Sequence, residues 1–236
     1  MKLSTVMLMI SVSLFFGVLM VYNLSLKAAY EKGTFRERFG EHTFTRLGNV
    51  KQLQLKSANM ISVSIENGKQ EGVWLSDRVK DKVKVSQAGE IVTVELIKQD
   101  ADNYIHIHAN EVVLIVNKLN KLSTDNFRLK GRELQDYGGE INIKNLSGDS
   151  FDLFVTEQAR VSMYGTRFKV FNAVLAGDGW SSLVVASTNH LDTAYFDIKG
   201  KSFLNLQNPV INAPHYKFGD SSRVELWGRS AQRAVD

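Results

Sequence analysis

Apolar and polar residues alternate along much of the chain after residue 50. Residues 61–65 read Ile-Ser-Val-Ser-Ile and residues 92–96 read Val-Thr-Val-Glu-Leu. A period of two places successive side chains on opposite faces of an extended chain, which is typical of a strand with one buried face. Residues 112–116 are apolar at every position, which favours a strand covered on both faces or a central wall. The pattern therefore predicts a β body.

A second pattern recurs in the C-terminal third of the chain. Four similar strand-like segments have their first apolar residues 22, 21 and 20 positions apart, and glycine turns lie between them. A strand, a bend, a second strand and a glycine turn at such a period are the signature of stacked repeats. The predicted fold class is all-β: a single-stranded right-handed parallel β-helix, or β-solenoid, preceded by an N-terminal transmembrane helix. A β-sandwich with coincidental spacing is the alternative.

Stacking would bring equivalent aliphatic side chains of successive repeats together. A repeat alone cannot cover its apolar face, whereas repeats stacked about 4.8 Å apart can. We therefore expect two inward columns, the first formed by Val161, Leu183, Leu204 and Val224 and the second by Met163, Val185, Leu206 and Leu226.

The N-terminal segment contains 20 residues, 3–22, without a charged side chain. As a helix this run would be about 30 Å long, which matches the hydrocarbon core of a bilayer. A signal peptide usually has a shorter apolar region and a small-residue cleavage site, and the candidate near Ala28 and Ala29 is poor. The run therefore favours an uncleaved anchor over a cleaved signal.

The two signals for membrane orientation disagree. Lys27, Lys32, Arg36 and Arg38 follow the run, and the positive-inside rule would place them in the cytoplasm. A start resembling a signal sequence, followed by a β-rich body, is usual for exported domains. We expect export, with the protein in the bacterial cell envelope, anchored in the inner membrane with its β domain in the periplasm, or at the cell surface.

These patterns divide the chain into four parts. Residues 1–23 are the transmembrane anchor or signal, and residues 24–48 are a juxtamembrane spacer, partly helical over 25–32. Residues 49–229 form the β-solenoid domain, and residues 230–236 form a polar tail that would protect the last repeat.

Composition narrows the function classes. The 236 residues include no cysteine, which excludes disulfides, cysteine-type zinc sites and thiol nucleophiles. The net charge of +4 arises from scattered lysines and arginines, and we expect no nucleic-acid partner.

The chain resembles the bacterial auto-transporter adhesin family with a head GIN domain. The resemblance rests on the apolar pairs and triplets at Leu53 and Leu55, at Ile61, Val63 and Ile65, and in later strands over 73–96, together with the glycine–aspartate turns of the repeats. It covers residues 49–229 and implies a β-solenoid fold. It implies no catalytic residue, because the family has none established.

His106 and His108 are the sharpest candidates for chemistry. On a strand they would share a face about 6.6 Å apart and could begin a zinc or copper site. No third ligand can be identified, and an exposed polar face opposite Ile105 and Ile107 explains the pair equally well. We therefore assign no metal, no cofactor and no catalytic residue.

Acidic and aromatic residues are the remaining candidates. The aspartates at 149, 152, 178, 192, 197 and 220 fall at different phases of the repeat and are not expected to converge. Tyr164 and Trp227 share a phase and could belong to an aromatic strip for sugars, but we favour packing at a corner.

The sequence thus predicts a membrane-anchored, exported module without enzymatic activity that serves as an adhesive, scaffold or partner-binding domain. Its N-terminal helix would bind the membrane, and a glycan or a protein would be its partner at the cell envelope. A carbohydrate-active β-helix enzyme and a periplasmic sensor domain of a membrane complex remain as alternatives.

Overall fold

A computed structural model describes residues 3–32, 38–97, 107–126, 138–156, 158–176 and 180–232. The chain forms two compact units, Met1–Glu41 and His42–Asp236.

The first unit contains the helix α1, Leu3–Lys32. Its long unbranched and apolar residues favour a helix, and Lys27 lies 3.8 Å from Glu31 one turn further on. The stretch Ser4–Ala28 has a mean hydropathy of 2.2. By length and composition it could cross a membrane, and signal sequences near an N-terminus share these properties.

The second unit contains two β-sheets. The nine-stranded sheet comprises, in chain order, β1 (His42–Arg46), β3 (Val63–Asn67), β4 (Gly72–Ser76), β7 (Val112–Val116), β9 (Gly139–Lys144), β11 (Ala159–Tyr164), β13 (Ser182–Val185), β15 (Phe203–Gln207) and β17 (Arg223–Trp227). The eight-stranded sheet comprises β2 (Gln52–Leu55), β5 (Val83–Ala88), β6 (Ile91–Leu96), β8 (Lys121–Thr124), β10 (Ser147–Val155), β12 (Arg167–Leu175), β14 (His190–Ile198) and β16 (Val210–Phe218). A short helix, α2 (Arg229–Gln232), follows β17.

Both sheets are mixed, and the predicted fold class is therefore wrong. The strand order is β1-β4-β7-β3-β9-β11-β13-β15-β17 in one sheet and β16-β14-β12-β10-β8-β2-β6-β5 in the other. β4 runs antiparallel to both β1 and β7, and β5 runs antiparallel to β6. A single-stranded right-handed parallel β-helix or solenoid has no place for these pairs. The regular spacing of the C-terminal third does not extend through the earlier strands, where a short turn joins the antiparallel pair β5 and β6, and β4 pairs with β1 and β7 across long stretches of chain.

The predicted columns of aliphatic side chains are nevertheless present. β11, β13, β15 and β17 are parallel neighbours, and their register aligns Val161 with Leu183, Leu204 and Val224, and Met163 with Val185, Leu206 and Leu226. The side chains on β11, β13 and β15 are fully buried, whereas Val224 and Leu226 on the last strand are half-buried. Each of these repeats contributes one strand to each sheet, in agreement with the predicted order of a strand, a bend and a second strand.

Phenylalanines fill the core beneath β10, β12 and β14. The ring of Phe151 lies 5.0 Å from that of Phe168 and 6.1 Å from that of Phe171, and Phe171 lies 5.9 Å from Phe196 between ring centroids. All four rings are at most 1% exposed. Aromatic rings at these separations prefer particular relative orientations, which stabilise the fold in addition to the burial of apolar area. The packing of the rings therefore also constrains how the strands align.

β7 occupies an interior position in the nine-stranded sheet, between β4 and β3. Four of its five residues are buried on the two faces of the sheet, and Ile115 is half-buried. The continuous apolar run is explained by this position, as the sequence predicted.

The strand β16 forms one edge of the eight-stranded sheet, and it contains a proline. β16 pairs only with β14, and the backbone NH of Gly219 donates to the carbonyl of Ile198 at 2.7 Å. Because alternate residues of a strand turn their NH groups to opposite sides, the nitrogen of Pro214 faces the open edge, where it has no hydrogen to donate. Ser230 of α2 is buried near Pro209, Pro214 and Tyr216. This edge is therefore poorly suited to pairing with another strand.

Candidate functional site

The predicted histidine pair cannot be assessed as a pair, because His106 lies outside the described residues. The backbone NH of His108 donates to the Glu111 carboxylate at 2.8 Å. The other oxygen of Glu111 accepts from Arg78 Nε at 2.5 Å. Within the described part of the chain, no group of three or more histidine, aspartate or glutamate side chains is placed to hold a metal ion.

Glu111 carries a buried carboxylate that connects two turns of the fold. Burial raises the pKa of this carboxyl, but the hydrogen bonds from Arg78 and from the NH of His108 outweigh it and hold the pKa below its usual value of 4.5. The carboxylate joins the turn after β4 to the turn before β7. The sequence offered no signal for it beyond an acid beside an apolar strand.

The predicted aspartates lie on or near the eight-stranded sheet but have separate partners. Asp149 pairs with Lys169 at 2.7 Å, and this hydrogen bond lowers the pKa of Asp149 and raises the pKa of Lys169. Asp152 accepts from Asn172 at 2.7 Å and Asp192 from Asn212 at 3.2 Å. Asp178 lies outside the described residues. These contacts join neighbouring strands, as cross-strand polar pairs commonly do.

The two aromatic residues of the predicted strip are exposed. Tyr164 is 41% and Trp227 is 60% exposed, so neither ring is packed into a corner. They stand at the ends of β11 and β17, which are not neighbours in the sheet. Ala186 and Gln207 occupy the equivalent positions between them, and the rings do not form a continuous strip.

A groove lies instead on the outer face of the eight-stranded sheet, across β12, β14 and β16. Its volume is about 330 Å³, which falls within the range of small-molecule sites. One wall is the column of Asn172, Tyr195 and His215, and the other is the column of Val174, Asp197 and Lys217. The columns are two positions apart along each strand, so their Cα atoms lie about 6.6 Å apart.

Strand pairing arranges the side chains of this groove. Tyr195 and His215 are register partners, and their rings stack with centroids 4.6 Å apart and planes 12° apart. Both residues are exposed on the outer face of the sheet. Tyr195 is 46% exposed although its neighbours Ala194 and Phe196 are buried. The same alternation that fills the core therefore builds the wall of the groove.

Of the two charged side chains that line the groove, one has an ion-pair partner among the described residues and the other does not. The carboxylate of Asp197 pairs with Lys199 at 3.0 Å. Lys217, next to Asp197 in the register, has no ion pair among the described residues. The Asp152 carboxylate, beyond one end of the groove, accepts from Asn172. An unpaired ammonium group therefore stands beside an imidazole and an aromatic ring.

Sequence reasoning missed this groove. Its residues carry a signal, since Tyr195 and His215 are 20 positions apart and Asp197 and Lys217 repeat the same interval. The interval equals the repeat spacing and would have identified register partners on the outer face.

Comparisons with known proteins show a similarity of fold. No protein-family model matches the sequence, and no curated protein sequence matches it. A candidate adhesin from Bacteroides fragilis has a similar structure, with a TM-score of 0.51 and 10% identity over 79% of this chain and 96% of that chain.

Two proteins from Parabacteroides distasonis align less well. One is described as a candidate lipid-binding protein, with a TM-score of 0.39 and 11% identity over 80% of this chain and 96% of the other. The other is described as a candidate adhesin, with a TM-score of 0.38 and 9% identity over 78% and 95%. Scores this low carry no argument about function. The comparisons agree with an adhesin-like fold, and they show no head GIN domain.

Proposed function

We propose that this protein is a membrane-anchored, exported binding module without enzymatic activity, and that the groove between the Tyr195–His215 wall and the Asp197–Lys217 wall is its contact surface. The observation that carries the proposal is the combination of a 46% exposed Tyr195 and an unpaired Lys217 on a sheet face whose other charges mostly have partners. Exposed aromatic and cationic groups that converge in a groove are typical of ligand contact.

The length and apolar composition of the helix α1 support the proposed anchoring of the protein in a membrane. Its apolar stretch of 25 residues is longer than the apolar core of a usual signal peptide, which favours retention as an anchor. With export, the residues between α1 and β1 would connect the anchor to the β domain, on the outer side of the inner membrane or at the cell surface.

The absence of cysteine permits a direct test of this location. Lys201→Cys places a single thiol on an exposed turn of the β domain. In intact cells of a bacterial host with a permeabilised outer membrane, a maleimide that cannot cross the inner membrane should label this variant. The mature N-terminus should remain uncleaved in the membrane fraction. Labelling only after lysis would contradict export, and cleavage before Tyr30 would contradict the anchor.

Binding is tested with immobilised full-length protein in detergent. Crude envelope polysaccharide and envelope protein fractions are applied to the wild type and to two double variants. Tyr195→Ala with Lys217→Ala should lose retention of at least one fraction, whereas Tyr164→Ala with Lys201→Ala should keep it. Equal retention by all three proteins would remove the groove from the proposed function.

A further inference from the structure

Four features of the groove limit which ligand it fits. The groove is open at the surface, its lining is mostly apolar, its few polar groups include Asn172, Asp197 and Lys217, and it is crossed by three strands whose backbone groups are already paired. Because the Cα atoms of its two side-chain columns are only about 6.6 Å apart along each strand, it offers a contact surface for a single extended chain rather than for a folded domain. An extended peptide would find no free backbone NH or carbonyl groups on this sheet face, because parallel neighbours β12, β14 and β16 use them in the ladder.

A chain rich in hydroxyl groups matches the lining better. The exposed phenol of Tyr195 offers a donor and an acceptor, and the amide oxygen of Asn172 and the carboxylate of Asp197 offer further acceptors. Val174 supplies an apolar surface between them. Sugar rings present both hydroxyl edges and apolar CH faces, so that such a mixed lining can contact both.

The unpaired charge adds a requirement for an anion. Lys217 is exposed and has no ion pair among the described residues, and the imidazole of His215 stands two residues away on the same face of β16. The carboxylate of Asp197 is compensated by Lys199 at 3.0 Å. A carboxylate on the ligand would pair with the Lys217 ammonium and accept a hydrogen bond from His215, which are charge-assisted contacts.

From these observations we infer that the groove binds an acidic saccharide, a chain of sugar units that carry carboxylates, with Lys217 and His215 at the carboxylate and Tyr195 at the ring. The inference rests on the proposed function and specifies the ligand class of the same site.

The test uses a hexasaccharide of galacturonic acid and its carboxyl-reduced form, which differ only in charge. Full-length protein in a non-ionic detergent is titrated with each by isothermal calorimetry. The acidic form should bind, its affinity should fall as sodium chloride rises from about 0.05 to 0.5 M because salt screens exposed charges, and the reduced form should bind at least tenfold more weakly.

Two variants locate the site. Lys217→Ala should weaken binding of the acidic form at least tenfold, and Tyr195→Ala should weaken binding of both forms. Lys201→Ala and Tyr164→Ala, which remove an exposed lysine and an exposed tyrosine elsewhere, should leave the affinity unchanged. Because Lys217 is outside the core, its variant reports binding even if Tyr195→Ala alters the fold.

Three outcomes would overturn the inference: no binding of the acidic hexasaccharide, equal binding of the two forms, or an affinity that Lys217→Ala leaves unchanged. The proposed function would survive any of these if the envelope fractions still distinguish the two double variants. It would fail separately if they do not.

Discussion

Asn189 and Thr166 are joined by two hydrogen bonds to a single oxygen. The backbone NH and the hydroxyl of Thr166 both donate to Asn189 Oδ1, at 2.9 and 2.8 Å. The amide of Asn189 donates in turn to the carbonyls of Met163 and Ala186, each at 2.7 Å. Both side chains are fully buried, so one amide satisfies the backbone where β11 turns into β12.

Asn189→Ala should destabilise the protein by about 2–3 kcal/mol, since it leaves buried donors and acceptors without partners. Chemical denaturation of the full chain in detergent, followed by circular dichroism, measures the change. Asn212→Ala is the control, because Asn212 is exposed and its amide contacts Asp192 at the surface. Equal losses in the two variants would contradict the role of the buried amide.

Gly139 marks a close approach of two backbone segments. A Cβ at this position would overlap the carbonyl oxygen of Ala58 and lie 2.6 Å from that of Ile61. Neither oxygen can rotate away, because both belong to the backbone. Gly139→Ala should therefore destabilise the fold by more than about 3 kcal/mol.

Gly48→Ala is the matched control for that substitution. A Cβ at Gly48 would have no neighbour within 4 Å. We expect a change within about 0.5 kcal/mol. Thermal melting of both variants and of the wild type in one detergent gives the comparison, and a stable Gly139→Ala variant would show that β9 can move away from residues 58–61.

Phe171 connects the other core phenylalanines, since its ring contacts those of Phe151 and Phe196. Phe171→Ala should cost about 3–5 kcal/mol through lost burial and the cavity that remains. Val170→Ala, on the adjacent and 36% exposed position, should change stability little. The free energies of unfolding from denaturant titration decide the comparison, and a loss below about 1 kcal/mol for Phe171→Ala would show that the core closes around the gap.

The stability of the Glu111 site should depend on pH in a defined direction. Its pKa is lowered in the folded protein, so the carboxylate stabilises the fold fully above its usual pKa of 4.5, and this contribution is lost as the pH falls through the lower, folded-state pKa. The difference in stability between wild type and Glu111→Gln should therefore shrink as the pH falls below 4.5.

Arg78→Met provides the second arm of that experiment. Without the guanidinium, burial of the carboxyl opposes ionisation with less compensation, so the pKa of Glu111 should rise and the acid transition should begin at a higher pH. Denaturation midpoints measured between about pH 7 and pH 3 test both variants. An acid transition unchanged in Arg78→Met would mean that the ion pair does not hold the pKa down.

The sequence predicted the positions of individual strands better than it predicted how those strands are arranged in the two sheets. Alternation identified β3, β6 and the strands from β9 onward, and the repeat spacing correctly aligned Val161 with Leu183, Leu204 and Val224. Alternation reports which face of a strand a side chain occupies, and the repeat spacing reports which residues are neighbours on parallel strands. Neither reports how residues 42–97 pair, because antiparallel contacts such as β1 with β4 depend on turn geometry and on the rest of the sheet.

The candidate site was missed for a related physical reason. Core positions are recognisable because burial demands apolar side chains, but outward positions accept almost any residue. Tyr195, His215, Asp197 and Lys217 become a groove only once the register between β14 and β16 is known. The N-terminal helix was easier, since a long uncharged run needs no tertiary partner to be recognised.

Parallel strands in register can in principle recruit further copies without limit, which is the geometry of fibrils. In the eight-stranded sheet, the nitrogen of Pro214 faces the outer side of β16 and opposes the pairing of a further strand there. The edge strand β17 of the nine-stranded sheet contains no proline and can still pair. A high local concentration should therefore not polymerise the protein through both sheets at once. Any end-to-end assembly would have to grow through one sheet alone, with half of the backbone pairing that a continuous fibre would have.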